Sequence, residues 1–313
     1  MSSVLITGAG GYVGGRLAPV LAAGGHSVRA LVREPAPWLA DEQVVCDLAA
    51  EGASETMAEA CLGVDCVIHL AGDSEVVAGR RPAAALGATV VATERVAEAA
   101  AGSGVRRLLY LSTVHVYGAR MAPGATLTED LRAEPRSVYA TSRLASEHVA
   151  ATFADAGALE LIVLRLSNSV GAPADPRVDR WSLVVNDLCR QGALEGALRL
   201  RSSGAQWRDF VSLATVCGAL RDAAGGAVAP GTYNLASGHP MTVRSLAELV
   251  QDGFATATGR RPPLFAPDPE PDPPGPYLVS TERAAAAGLR LEGPIESAVA
   301  ETVRFCLDHR QEL

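Results

Sequence analysis

The chain has 313 residues, 48% of them hydrophobic, with mean hydropathy +0.16, formal net charge −8 and a pI near 5.3. That length leaves room for a core needing no disulfide or metal staple, so one large α/β unit with a smaller lobe is expected. No basic run occurs, which excludes nucleic acid as a partner, because neutralising phosphates takes clustered cationic side chains.

Val4-Leu5-Ile6 is a short apolar run ending in glycines, the pattern of a buried parallel strand. Helical spacing follows over residues 13–23, then a strand at 27–32 and a third at Val44-Val45-Cys46. A short helical piece leads to a strand over 66–70. Residues 83–101 are alanine-rich and helical, 108–111 a strand, 138–156 a helix and 159–166 a strand. Such alternation implies right-handed βαβ units and a Rossmann-type, doubly wound parallel sheet.

Beyond residue 166 the alternation loosens. Residues 173–176 are rich in turn formers, and 260–276 are dense in Pro with interspersed acids, which predicts an extended surface connection. Two amphipathic helices are expected at 246–254 and 295–307. Residues 1–166 thus read as a dinucleotide-binding domain, with later strands near 208–236 returning to it. Residues 167–313 read mainly as a small substrate-binding lobe.

The six cysteines form no C-x-x-C pair and no zinc-ligand spacing with histidine, so they are expected to be reduced and structural. No basic segment precedes the first apolar run, and apolar stretches break well short of the ~20 residues of a membrane span. A cytoplasmic protein with no membrane contact is the expectation.

Thr7-Gly8-Ala9-Gly10-Gly11-Tyr12-Val13-Gly14 joins the first strand to the first helix. In that context Gly8 permits the tight turn, Gly11 lets backbone approach a pyrophosphate, and Gly14 allows close helix–sheet packing. The amides at Tyr12 and Val13 then face the phosphates at a helix N-terminus. An NAD site usually carries Asp or Glu at the end of the second strand to bond the ribose 2′-hydroxyl. Here Val32 stands there, followed by Arg33, which can pair with a 2′-phosphate, so NADP(H) is the expected cofactor. A solvated strand-end arginine is the plainer reading. Asp47, followed by Leu48, bonds the adenine amino group or caps a turn. Leu70, Ala71 and Gly72 let the fourth strand's end pass close to the dinucleotide. His69, on an apolar strand, is expected to be a satisfied core histidine.

With Tyr139-Ala140-Thr141-Ser142-Arg143 added, the chain resembles the extended short-chain dehydrogenase/reductases of the epimerase/dehydratase type, which include sugar-nucleotide epimerases, dehydratases and reductases. Four further segments carry the resemblance: Ser112 to Gly118, Leu164 to Gly171, Arg208-Asp209-Phe210-Val211, and Gly231 to Gly238. The resemblance implies that Thr113 hydrogen-bonds the reacting oxygen and that Tyr139, 26 residues later, is the acid/base group. It implies substrate contacts at Asn168, Thr113 and Arg208, the last to a nucleotide diphosphate, and a homodimer formed by a four-helix bundle from 83–101 and 138–156. For Arg208, pairing with Asp209 is the structural alternative.

Two positions depart from the family. Arg143 stands where the family has lysine, and Thr89 where it often has Asn. All 27 basic residues are arginine, so replacement under the coding bias of a GC-rich genome with activity retained is the expectation for the first exchange, and loss of function is its alternative. Arginine supplies charge beside the tyrosine and can hold the cofactor ribose, but it is bulkier than an ammonium and shuttles no proton. The family's 4,6-dehydratases carry Asp-Glu after the Thr; this chain has Val114-His115, which disfavours elimination. His115 shares a face with Thr113 if the segment is extended, which would make it an auxiliary proton donor; a packing or solvent-facing histidine is the alternative.

These features together imply an NADPH-dependent ketoreductase acting on a nucleotide-activated keto-deoxysugar in bacterial specialised metabolism. A sugar-nucleotide epimerase, a catalytically silent NADP(H)-binding sensor and a reductase of a polyketide-like ketone remain alternatives.

Overall fold

The computed structural model describes residues 2–39, 42–268 and 275–313. Its first half runs β1 (Ser3–Thr7), α1 (Gly14–Ala23), β2 (Ser27–Val32), β3 (Glu42–Val45), α2 (Ala53–Cys61), β4 (Cys66–His69), α3 (Glu75–Arg80), α4 (Pro82–Gly102) and β5 (Arg107–Thr113). A 3₁₀ helix (Val114–Arg120), β6 (Thr126–Leu127), α5 (Val138–Asp155) and β7 (Glu160–Leu166) follow. The rest comprises β8 (Asn168–Val170), α6 (Val184–Glu195), β9 (Leu198–Arg199), β10 (Trp207–Ser212), α7 (Leu213–Ala224) and β11 (Gly231–Leu235). It ends with β12 (Pro240–Thr242), α8 (Val243–Thr258), β13 (Leu264–Phe265), β14 (Leu278–Val279), α9 (Glu282–Ala286) and α10 (Ile295–Asp308).

Seven strands pair in parallel in the order β3-β2-β1-β4-β5-β7-β11. The sheet is buried on both faces, which is why β4 and β5 read as unbroken buried runs. Successive residues of β1 serve opposite faces: Val4 and Ile6 pack with Leu17 of α1 and Leu220 of α7, whereas Leu5 packs with Met57 of α2, Val96 of α4 and Ala150 of α5. Strand order reverses between β1 and β4, so a crevice opens at the C-terminal ends of those strands, the usual ligand position in such a sheet.

Of the late strands expected to return to this sheet, β11 does, pairing with β7 from Gly231 to Leu235. β10 does not. It lies between β8 and β12 in a separate three-stranded sheet, where Phe210 is buried with Val170, Val250 of α8 and Val299 of α10. β11 takes the place on the edge of β7, and the lobe core takes Phe210. Within the Pro-rich segment, β13 pairs with β9, and residues 269–274 lie outside the described residues. The six cysteines are free and buried. Among the described residues no helix is long and apolar enough to cross a membrane.

Candidate active site

The β1–α1 turn is shaped by backbone contact. Gly8 has φ +71°, and a Cβ there would come within 2.9 Å of the Ala71 nitrogen, so the turn rests on the Leu70-Ala71 backbone beyond β4. A Cβ at Gly14 would stand 2.5 Å from the Gly8 carbonyl oxygen. The Tyr12 and Val13 amides, just before α1, have no acceptor among the described residues. Free amides at a helix start fit the pyrophosphate of a dinucleotide. The Tyr12 hydroxyl donates to the Gly171 carbonyl at 2.7 Å, tying this turn to the loop after β8.

Val32 is buried at the end of β2, while Arg33 beyond it is exposed and makes no ion pair among the described residues. Asp47 is exposed, and its Oδ1 accepts the Ala49 amide at 3.0 Å, the turn-capping use. Leu48 is buried, and its carbonyl accepts Arg95 Nη1 at 2.6 Å. His69 is fully buried, with Nδ1 2.6 Å from Thr7 Oγ1 and Nε2 3.1 Å from Thr93 Oγ1. Burial, with help from the Arg143 charge, pushes its pKa down to about 3, so it is a neutral structural histidine.

The reactive candidates lie on two packed elements, β5 and α5. Thr113 ends β5, and its hydroxyl accepts the His115 amide at 3.2 Å, capping the 3₁₀ helix. Tyr139 lies in the first turn of α5, whose start is capped by Ser137 accepting the Ala140 amide at 3.2 Å. Arg143, one turn later, is only 7% exposed, with its guanidinium carbon 5.4 Å from the Tyr139 ring centroid. Its Nη2 reaches the Asp73 carbonyl at 3.5 Å. The guanidinium also lies over Gly72 (φ +145°), where a Cβ would approach Nη2 to 2.8 Å. Thr89 is buried on α4, and its hydroxyl accepts the Asp73 amide at 3.4 Å, steadying the same loop.

His115 requires a correction. The strand stops at Thr113 and turns into the 3₁₀ helix, so the alternation that would place His115 beside Thr113 does not apply. Burial lowers its pKa, the Glu75 carboxylate opposes that shift, and the Arg208 charge adds to it. The imidazole is therefore neutral at neutral pH.

On the opposite wall, Asn168 Nδ2 donates to the Asp209 carbonyl at 2.9 Å, joining β8 to β10. Arg208 Nη1 donates to the Trp207 carbonyl at 2.9 Å, and the residue makes no ion pair among the described residues. Asp209 is not its partner: that buried carboxylate accepts the Ser237 amide at 2.9 Å, the Ser237 hydroxyl at 2.8 Å and the Gly238 amide at 2.8 Å. Arg208 is left facing His115 and the buried Tyr277 hydroxyl. Two other concavities, of about 370 and 570 Å³, share Arg221, Asp222 and Arg290 and contain none of these groups.

The sequence reading passed over Glu147, which pairs with Arg165 at 2.8 Å and accepts from Ser112, locking α5 onto β5 and β7. Its signal is a carboxylate one turn beyond Arg143 on the same helical face. It also passed over Tyr277 and Tyr110; the latter is a tyrosine set in a strand of leucines.

The model of the NAD dependent epimerase/dehydratase family matches residues 4–236. The chain is 34% identical over 256 residues to a dTDP-6-deoxy-L-talose 4-dehydrogenase (NAD(P)(+)) of Kitasatospora kifunensis, covering 79% of this chain and 77% of that one. It is 29% identical over 258 residues to a GDP-6-deoxy-D-mannose reductase of Pseudomonas aeruginosa, covering 80% and 79%. In structure it matches a UDP-glucose 4-epimerase of Thermus thermophilus in complex with NAD, with TM-score 0.78, 25% identity and coverage of 96% and 98%. Its family match, glycine turn and parallel sheet agree: the chain belongs to the NAD-dependent epimerase/dehydratase family of extended short-chain dehydrogenase/reductases.

Proposed function

We propose that the chain is an NADPH-dependent ketoreductase of nucleotide-activated keto-deoxysugars. The observation that carries this is the seat of Arg143 against the Tyr139 ring on α5, with Thr113 at the C-terminal end of β5, on which α5 packs. The reduced dinucleotide, when bound, supplies the hydride. Thr113 holds the carbonyl oxygen by a hydrogen bond, and Tyr139 delivers the proton that completes the alcohol. The Arg143 guanidinium lies against the Tyr139 ring, its carbon 5.4 Å from the ring centroid, and places positive charge beside the proton donor. Arg143 also reaches toward the cofactor ribose from its seat on Gly72. Arg33 takes the 2′-phosphate, and the unpaired Arg208 takes the substrate diphosphate. The two relatives' names, a 4-dehydrogenase and a reductase of deoxysugar nucleotides, support the same substrate class.

The test is an assay of the purified chain with NADPH and dTDP- or GDP-linked keto-6-deoxysugars, following loss of reduced nicotinamide. Stoichiometric oxidation with appearance of the alcohol is expected. Interconversion of sugar epimers without added reductant, from protein that purifies with dinucleotide bound, would replace this reading with an epimerase. The same reading pairs two copies through α4 and α5, whose outer surface exposes Ala83, Ala84, Leu86 and Gly87. Sedimentation at micromolar concentration should show the dimer, and a monomer would count against it.

A further inference from the structure

Beneath the site, three polar atoms are buried without a well-formed hydrogen bond: Tyr110 Oη, Arg143 Nε and Ser146 Oγ. They belong to one cluster, since the Tyr110 hydroxyl faces both Arg143 and Ser146. Tyr110 lies in the middle of β5 with no exposure, between Leu109 and Leu111, and its ring packs 5.5 Å from that of His69. A hydroxyl in such a place is costly unless something uses it. The neighbouring histidine does not, because both its nitrogens are taken by Thr7 and Thr93.

Arg143 differs from a lysine here in more than bulk. Along an extended side chain, the arginine Nε stands where a lysine has its last methylene. Arginine therefore carries an N–H donor partway down the stem, while lysine carries donors only at its tip. In this site that donor is buried and needs an acceptor; the tip is already engaged with Asp73 and Gly72.

We propose that Tyr110 is a positioning residue for Arg143: its buried hydroxyl accepts the Nε–H and so holds the guanidinium where it meets Tyr139 and the cofactor ribose. Ser146, on the same face of α5, donates to the other side of that hydroxyl. Without the Tyr110 hydroxyl the buried Nε–H lacks an acceptor, and with lysine at 143 the buried hydroxyl lacks that donor. The proposal rests on the reading that Arg143 touches a bound dinucleotide.

NADPH affinity, measured by fluorescence titration, and thermal unfolding of the free protein are compared for wild type, Tyr110→Phe, Arg143→Lys and the double variant. Each single change should weaken NADPH binding by roughly tenfold, the scale of one lost hydrogen bond to a charged group. The double variant should return to within about threefold of wild type, a non-additive recovery between residues in contact. A tyrosine that merely filled space would add its loss to that of Arg143→Lys. Losses that add in the double variant, or a Tyr110→Phe protein with wild-type affinity, overturn the pairing. If Arg143→Lys alone fails to fold, recovery of folded protein in the double variant supports the pairing, and continued failure overturns it. A wild-type chain that binds neither NADPH nor NADH overturns the functional reading and the pairing with it, which separates that failure from the others.

Discussion

The two walls of the crevice are made by different means. On the cofactor wall, backbone sterics set the geometry: Gly8 lies on the chain at Ala71, and Gly14 lies against the Gly8 carbonyl. On the substrate wall, side-chain partners from separate elements set it. Arg208 is free because Asp209 is occupied by Ser237 and Gly238, and His115 faces Glu75 and Arg208 from two other elements. The first kind of wall has little tolerance, since an added methyl meets backbone that cannot move alone. The second consists of exchangeable side chains on a small sheet, which suits a family whose members differ in substrate.

The harshest way to break the contrast is Gly14→Ala. Its Cβ would sit 2.5 Å from the Gly8 oxygen, so α1 must shift away from the turn. A loss of dinucleotide affinity of ~10³-fold, about 4 kcal/mol, is expected, near the upper end for point changes, with the lobe still folded by circular dichroism. Binding at wild-type strength would show that the turn is more yielding than the contacts imply.

Tyr139→Phe probes the seam between the walls. Turnover should fall by ~10²-fold or more while NADPH affinity barely changes, because the general acid is lost while the glycine turn and Arg143 still hold the dinucleotide, to which the Tyr139 ring also lies close. If turnover is normal, the proton comes from elsewhere.

Arg208→Gln should sharpen the contrast by acting on one wall alone. The nucleotide-sugar KM should rise about 10- to 30-fold, the worth of one charge-assisted contact, with NADPH affinity unchanged. An equal effect on both ligands would mean the two walls are not independent.

The smallest effect is expected at Arg33, an exposed side chain on the cofactor wall. Arg33→Ala should weaken NADPH by about tenfold, or 1.4 kcal/mol, and leave NADH untouched. Equal losses for both nucleotides would remove Arg33 from the 2′-phosphate.

The sequence by itself determined the main alternation of strands and helices up to Leu166, the glycine turn, and the shared helical face of Tyr139 and Arg143, because each depends on spacing along a single element. The apolar strand around His69 likewise announced a core residue. Only the tertiary structure decided that β10 leaves the main sheet, that His115 turns into a 3₁₀ helix and that Asp209 serves the 237–238 turn rather than Arg208. The same holds for the role of Tyr110 and for the Arg143 contact at Gly72, which arise only when α5 packs against β5. Periodicity records which face of an element is buried, whereas the partner of a buried polar atom is chosen by whichever segment packs there, and that choice is made between residues far apart in the chain.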